Sequence, residues 1–180
     1  LPMTIEAHDF IQNRTFDEIA IGDTAHLVRT LRPEDIHLFA VMSGDVNPAH
    51  VDHEYARNSM FHEIIGHGMW GGSLISTVLG TLLPGPGTIY LKQSLRFSRP
   101  VAVGDTLTIS VTVKDKLAPK HRVVFDCLAV NQDGDFVITG EAEVLAPTEK
   151  ICRPRIEMPA ITMDDRSARL HSLLARVAGF

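Results

Sequence analysis

One segment constrains the fold more than any other. From Gly68 to Leu83 the chain carries Met69, Trp70, Leu74, Ile75, Val78, Leu79, Leu82 and Leu83. At helical spacing these positions fall almost all round the axis, which predicts a helix buried on most of its faces. Gly71, Gly72 and Gly80 oppose that helix by roughly 1 kcal/mol each relative to alanine, so close packing against a sheet is the expected compensation. Pro84 to Gly87 then stops it, and the apolar period changes to two. Ile89, Leu91, Leu95 and Phe97 alternate with Tyr90, Lys92, Ser94 and Arg96. Val103-Gly104-Asp105 turns the chain, and Leu107, Ile109, Val111 and Val113 alternate again. His121 to Asn131 and Phe136 to Ala146 read as two further strands joined at Asp133-Gly134, a strong hairpin signal. Long strands with tight turns make an antiparallel sheet, and one buried helix beside it makes an α+β layer.

The remaining sequence narrows what such a layer can do. A chain of 180 residues with formal charge −5 and no Lys/Arg cluster argues against a nucleic-acid surface. No apolar run reaches the roughly 18 residues of a membrane helix, and Glu6 and Asp9 do not suit a secretory leader. Cys127 and Cys152 form no disulfide framework. A reduced, cytoplasmic setting is therefore expected.

Upstream of the apolar helix, residues 1–14 show no clear period, and Thr24 to Leu31 reads as a strand. Pro33 opens a helix at its favoured first position, with Glu34 and Asp35 in the first turn and Ile36, Phe39 and Ala40 on one face. That helix delivers the chain to Gly44-Asp45-Val46-Asn47-Pro48-Ala49-His50. Asn and Pro favour a tight turn here, and such a turn aims an acid and an imidazole at one point, as a water-activating pair requires. Asp45 capping a turn beside an ordinary surface His50 fits the spacing equally well. A second short helix is expected from His53 to Met60, with Tyr55 and Ala56 inside. At Gly68 the first amides of the long helix have no intrahelical partner and are free to face developing negative charge.

Three ordered stretches together carry a resemblance. Gly44 to His50, then His67-Gly68-Met69, then Leu83-Pro84-Gly85-Pro86-Gly87-Thr88-Ile89-Tyr90 resemble the MaoC-like family, and within it the (R)-specific enoyl-CoA hydratases. That pattern is an Asp-x-Asn-Pro-x-His loop, a His-Gly-Met helix start and a Pro-Gly-x-Gly turn, and the match runs over residues 15 to 147. The resemblance implies the hotdog fold, a sheet wrapped round a central helix, and hydration of a trans-2-enoyl-CoA to the (R)-3-hydroxyacyl-CoA. In such a reaction Asp45 and His50 activate water and protonate C2, and Asn47 shapes the loop. The Gly68 N–H polarises the thioester carbonyl, and Ser76 adds a hydroxyl to the network. The residues leave open which of the pair takes the proton from water; His50 as base and Asp45 as acid is the preferred assignment. No metal or redox cofactor is implied, the CoA being part of the substrate. Met69, Trp70, Leu74 and Leu79 are candidates to bound the acyl pocket, and Lys92, Arg96 and Arg99 are candidate CoA contacts. An isolated hotdog leaves a sheet edge and a helix flank bare, which predicts a homodimer.

Other motifs fit less well. Gly66 to Gly71 matches G-x-G-x-x-G but lacks a βαβ setting. His62 and His67 resemble a zinc-protease pair with one residue too many, so the two imidazoles would diverge on a helix, and His67 is expected to pack at the helix start. Ser76 lacks the Gly-x-Ser-x-Gly elbow of a hydrolytic nucleophile. A hotdog thioesterase and a non-catalytic acyl-CoA-binding hotdog remain as alternative readings. Beyond Pro147, Arg153-Pro154-Arg155 and Met158-Pro159 read as an extended linker, and Ser167 to Val177 as a short amphipathic helix. This tail, 148–180, resembles the linker of bifunctional enoyl-CoA hydratase/phosphate acetyltransferase proteins. The resemblance implies a hydratase domain over 1–147, a fused acyltransferase beyond it, and a unit indifferent to truncation after Pro147.

Overall fold

A computed structural model describes residues 9–164, 173 and 175–177. Strand β1 (Phe10–Gln12) is followed by a 3-10 turn, Phe16–Glu18, and by β2 (Thr24–Thr30). Three helices come next, α1 (Pro33–Ser43), α2 (Pro48–Val51) and α3 (His53–Asn58), then the long α4 (Gly68–Thr81). Strands β3 (Ile89–Phe97), β4 (Thr106–Leu117), β5 (Arg122–Val130), β6 (Phe136–Leu145) and β7 (Cys152–Pro154) complete the described order. Five strands form one antiparallel sheet in the order β2-β4-β5-β6-β3. Helix α4 lies against β4, β2 and β3. This is the hotdog arrangement. Among the described residues no helix is long and apolar enough to cross a membrane.

The alternation in β4 and β5 is what builds the core. Leu107, Ile109, Val111 and Val113 of β4 and Val123, Phe125, Cys127 and Ala129 of β5 all point inward and are buried. They meet Trp70, Leu74, Ile75, Val78 and Leu79 from α4. Each fully buried large side chain contributes about 1.5–3 kcal/mol, so this contact dominates the stability of the unit. Burial pushes the Cys127 thiol up to about 11, which makes it a core residue and not a nucleophile. The glycines of α4 divide. A Cβ on Gly71 would stand 2.5 Å from Ile138 Cδ1, so its absence lets helix and sheet approach. Gly80 has nothing within 4 Å of that position and no such packing reason.

Three expectations change. Helix α4 is not buried on most faces: Gly68, Met69, Ser73, Ser76 and Thr77 line an open side, because the sheet wraps one flank only. Strand β3 lies at the sheet edge, paired with β6 alone, and its apolar residues are largely exposed. In α3, Ala56 is buried but Tyr55 is exposed.

The stretch after Pro147 also departs from a free linker. Strand β7 pairs with β1, an element with too few residues to show a period. Between them Asn13, 1 % exposed, acts as a clamp. Its Nδ2 donates to the Glu149 carbonyl at 2.9 Å, its Oδ1 accepts the Ile151 N–H at 2.9 Å, and its own carbonyl accepts Lys150 Nζ at 2.7 Å. Phe16 N–H donates to the Pro147 carbonyl at 2.8 Å. Residues 148–155 are therefore held to the hotdog unit, whereas 156–164 are exposed without regular structure. The helix expected over Ser167 to Val177 lies mostly outside the described residues, of which 173 and 175–177 are helical.

Truncation after Pro147 strips Asn13 of these partners and leaves a buried amide unsatisfied, a loss of about 1–3 kcal/mol. We expect the melting temperature to fall by several degrees, at about 2–4 °C per kcal/mol for a domain of this size. A truncated chain melting within about one degree of the intact one would restore the free-linker reading.

Candidate active site

The loop after α1 is built from consecutive side-chain-to-backbone turns. Ser43 Oγ donates to the Phe39 carbonyl at 2.6 Å and accepts the Asp45 N–H at 3.2 Å. Gly44 takes the left-handed conformation, φ 77°, and closes α1 with a bond to the Ala40 carbonyl. Asp45 Oδ1 accepts the Asn47 N–H at 3.2 Å, and Asn47 Oδ1 in turn accepts the Ala49 N–H at 3.1 Å as N-cap of α2. Pro48 starts that helix in its favoured position. These local bonds carry the chain from Asp45 to His50 in little more than one turn.

The segment 64–68 then closes over the pair. His50 Nδ1 lies 2.8 Å from the Ile65 carbonyl. A carbonyl only accepts, so Nδ1 carries a hydrogen, and in the neutral ring Nε2 is the lone pair. His67, 3 % exposed, is the N-cap residue of α4 and places Nε2 2.9 Å from the Asp45 main-chain carbonyl. By the same logic its Nε2 is protonated and its Nδ1 bare; that Nδ1 is buried without a partner. The His67 ring stacks between Phe39, at 4.8 Å, and His50, at 4.0 Å. Donor atoms of Asp45, His50 and His67 lie within 4.8 Å of one another.

Gly68 begins α4, where the unpaired amides and the positive end of the dipole coincide. A cavity of about 400 Å³ opens beside it, bounded by His50, His67, Gly68, Phe61, Phe97 and Arg99. His50 also borders a second cavity of about 370 Å³, toward His37, His53, Arg57 and His62.

Asp45, His50 and Gly68 are thus brought together as expected, and Asn47 caps the loop. Arg99 stands in the cavity wall, 3.2 Å from Asp135. Met69 is 55 % exposed on the open side of α4. Trp70 is 6 % exposed and packs in the core cluster with Leu74 and Leu79. Lys92 and Arg96 stand opposite Glu143 and Thr139, on the face of the sheet turned away from α4, where Lys114, Asp126 and Glu141 also lie. Strand alternation that turns Gln93 and Leu95 toward the helix turns these two cations away from the site. Ser76 sits eight residues beyond Gly68, about 12 Å along the helix axis, and makes no hydrogen bond to Asp45, His50 or His67. It borders the open side of α4 and is outside the loop's network. His67, the first residue of the His-Gly-Met stretch and expected only to pack at the helix start, bonds the Asp45 carbonyl as well.

Residues 18–127 match the family model described as MaoC like domain, and the chain belongs to that family. It is 47% identical over 132 residues to an (R)-specific enoyl-CoA hydratase of Rhodospirillum rubrum, covering 73% of this chain and 91% of that one. A 3-hydroxybutyryl-CoA dehydratase of Methylorubrum extorquens is 35% identical over 139 residues, 77% of this chain and 88% of its own. Among solved structures, the unliganded R-hydratase PhaJ1 of Pseudomonas aeruginosa superposes with a TM-score of 0.83 at 45% identity, covering 86% of this chain and 99% of its own.

Proposed function

We propose that the chain is an (R)-specific enoyl-CoA hydratase that adds water to a trans-2-enoyl-CoA and catalyses the reverse dehydration. The observation that carries this reading is the tautomer of His50. With Nδ1–H committed to the Ile65 carbonyl, Nε2 is the ring nitrogen left to act as base, on a side chain grouped with Asp45 and bordering the cavity at Gly68. His50 Nε2 takes a proton from water as the water oxygen bonds to C3. The π electrons of the C2–C3 bond move into a thioester enolate, whose oxygen accepts the Gly68 N–H at the positive end of α4. C2 then takes a proton from the imidazolium just formed, and the neutral base is restored. The Asp45 carboxylate, an acceptor only, holds the second hydrogen of the water. His50 thereby keeps the role of base and also acquires the acid's role first given to Asp45.

The apolar walls of the cavity, Phe61 and Phe97, suit the acyl–pantetheine junction, and Arg99 is the cation placed to meet the CoA moiety. The bare side of α4, with Met69 and Ser76, and the unpaired edge of β3 support a homodimer in which a second copy covers both. We read Ser76 there as a contact of the acyl chain. The exposed residues 156–164 support the connector to a further acyltransferase domain, and the two free thiols suit a cytoplasmic enzyme.

His50→Ala should cut hydration at least about 100-fold, as for a general acid–base group, and Asp45→Asn, which keeps an oxygen for the Asn47 N–H but loses the charge that orients the water, by about 100-fold through misplacement of that water, neither lowering the melting temperature. Near-normal turnover in either folded variant contradicts the assignment, as does an (S)-3-hydroxyacyl product on chiral chromatography. Ser76→Ala should retain most activity. Light scattering should give twice the chain mass at micromolar concentration; a stable monomer would leave the open face of α4 without its proposed cover.

A further inference from the structure

His67 is an odd residue for the place it occupies. It stands at the N-cap of α4 yet makes no side-chain capping bond, where serine or aspartate would satisfy a helix amide. It is 3 % exposed, but its Nδ1 has no partner, a standing cost to stability that a phenylalanine of similar shape would not carry. Stability alone therefore does not account for a histidine here. What the ring does is donate Nε2–H to the Asp45 carbonyl at 2.9 Å across 22 positions of sequence. Every other hydrogen bond of residues 44–47 is local. Asp45 N–H goes to Ser43, Asn47 N–H to Asp45, Gly44 N–H to Ala40, and the Asn47 side chain and carbonyl to Ala49 and His50. The loop itself is exposed throughout. Among the described residues, the His67 bond is the one long-range hydrogen bond made by residues 44–47; further along, the Ala49 carbonyl accepts the Ile65 N–H at 3.4 Å and His50 Nδ1 donates to the Ile65 carbonyl.

We propose that His67 is a positioning residue: its Nε2–H fixes the Asp45 carboxylate in place relative to His50 and the Gly68 amide, and its ring supports the face of His50. This rests on the hydratase reading for its effect on rate, though not for its effect on the loop. Rigid placement matters because a displacement of about 1 Å at a reacting group costs about 100-fold in rate. The His50 ring, 4.0 Å away, is held by the Ile65 carbonyl on one edge and by the His67 face on the other, so one buried ring orients both members of the pair.

The test uses the full chain with crotonyl-CoA. His67→Phe keeps the stack and removes both nitrogens. It should lower kcat by about 10- to 100-fold with KM changed by less than about threefold, and leave the melting temperature equal or higher. His67→Gln, whose amide nitrogen falls near the position of Nε2, should recover most of kcat, whereas His67→Asn, whose amide falls near Nδ1, should not. A His67→Phe enzyme with kcat within about twofold of the parent overturns the proposal. So does equal loss in the Gln and Asn variants, which would make shape the only requirement. Long-range nitrogen–proton NMR of the parent chain supplies a readout independent of turnover. It should show His67 protonated at Nε2 and His50 at Nδ1, and His67→Phe should broaden or shift the Asp45 and Val46 amides. The opposite His67 tautomer, or unchanged loop amides in His67→Phe, contradicts the proposal even if the parent fails to hydrate crotonyl-CoA, which would instead remove the hydratase reading.

Discussion

Everything in this molecule is referred to the contact between α4 and the inner face of the sheet. Ile75, Val78 and Leu79 are fully buried against the alternating apolar residues of β4 and β5, and Gly71 permits an approach that any Cβ would block at Ile138. A contact of this density allows few alternative registers, because interiors pack like crystals and resist small shifts. The start of the helix inherits that precision. Gly68 and His67 are the last residues before the packed turns begin, so an amide and an imidazole are set beside the cavity on the most rigid element of the fold.

The catalytic loop is constructed differently. It has almost no apolar burial and is shaped by short polar bonds among Ser43, Asp45 and Asn47. Bonds of this kind set local geometry at about 0.5–1.5 kcal/mol each but do not locate the loop against the rest of the protein. That task falls to the two carbonyl–imidazole bonds, Ile65 to His50 and Asp45 to His67, beside the backbone bond from Ile65 N–H to the Ala49 carbonyl. Each joins the loop to the stretch leading into α4, and each also decides which nitrogen of its ring is bare. Position and ring orientation are set by the same two hydrogen bonds.

How much of this was legible in the sequence follows from the physics of each element. The helix and the strands β4 to β6 were read from their periods because burial on one side imposes those periods. The turn that brings Asp45 near His50 was legible because Asn-Pro turns are local, whereas the pairing of the two as a site came from the resemblance, since the spacing fits a plain capped turn equally well. The open side of α4 was not, since Met69 and Leu82 look as apolar as Leu74 and only the sheet's curvature separates them. Met69 and Trp70 part for the same reason, one exposed and one buried: adjacent positions on a helix differ by about 100°, and sequence does not say which faces the core. Lys92 and Arg96 lie on the far side of the sheet because strand parity, combined with the edge position of β3, turned them outward. The β1–β7 pairing rests on three-residue strands and the buried amide of Asn13, features too short for any pattern.

The central claim is that a neutral His50, held beside Asp45 and the start of α4, adds water to an enoyl thioester without breaking the thioester bond. The purified chain with crotonyl-CoA tests it directly, with loss of the enoyl absorbance followed alongside release of free thiol. The account predicts that absorbance falls to the hydration equilibrium while the thiol signal stays flat. Thiol release at a matching rate would make the chain a thioesterase, and no change in either signal would make it a binding protein; both results contradict the account.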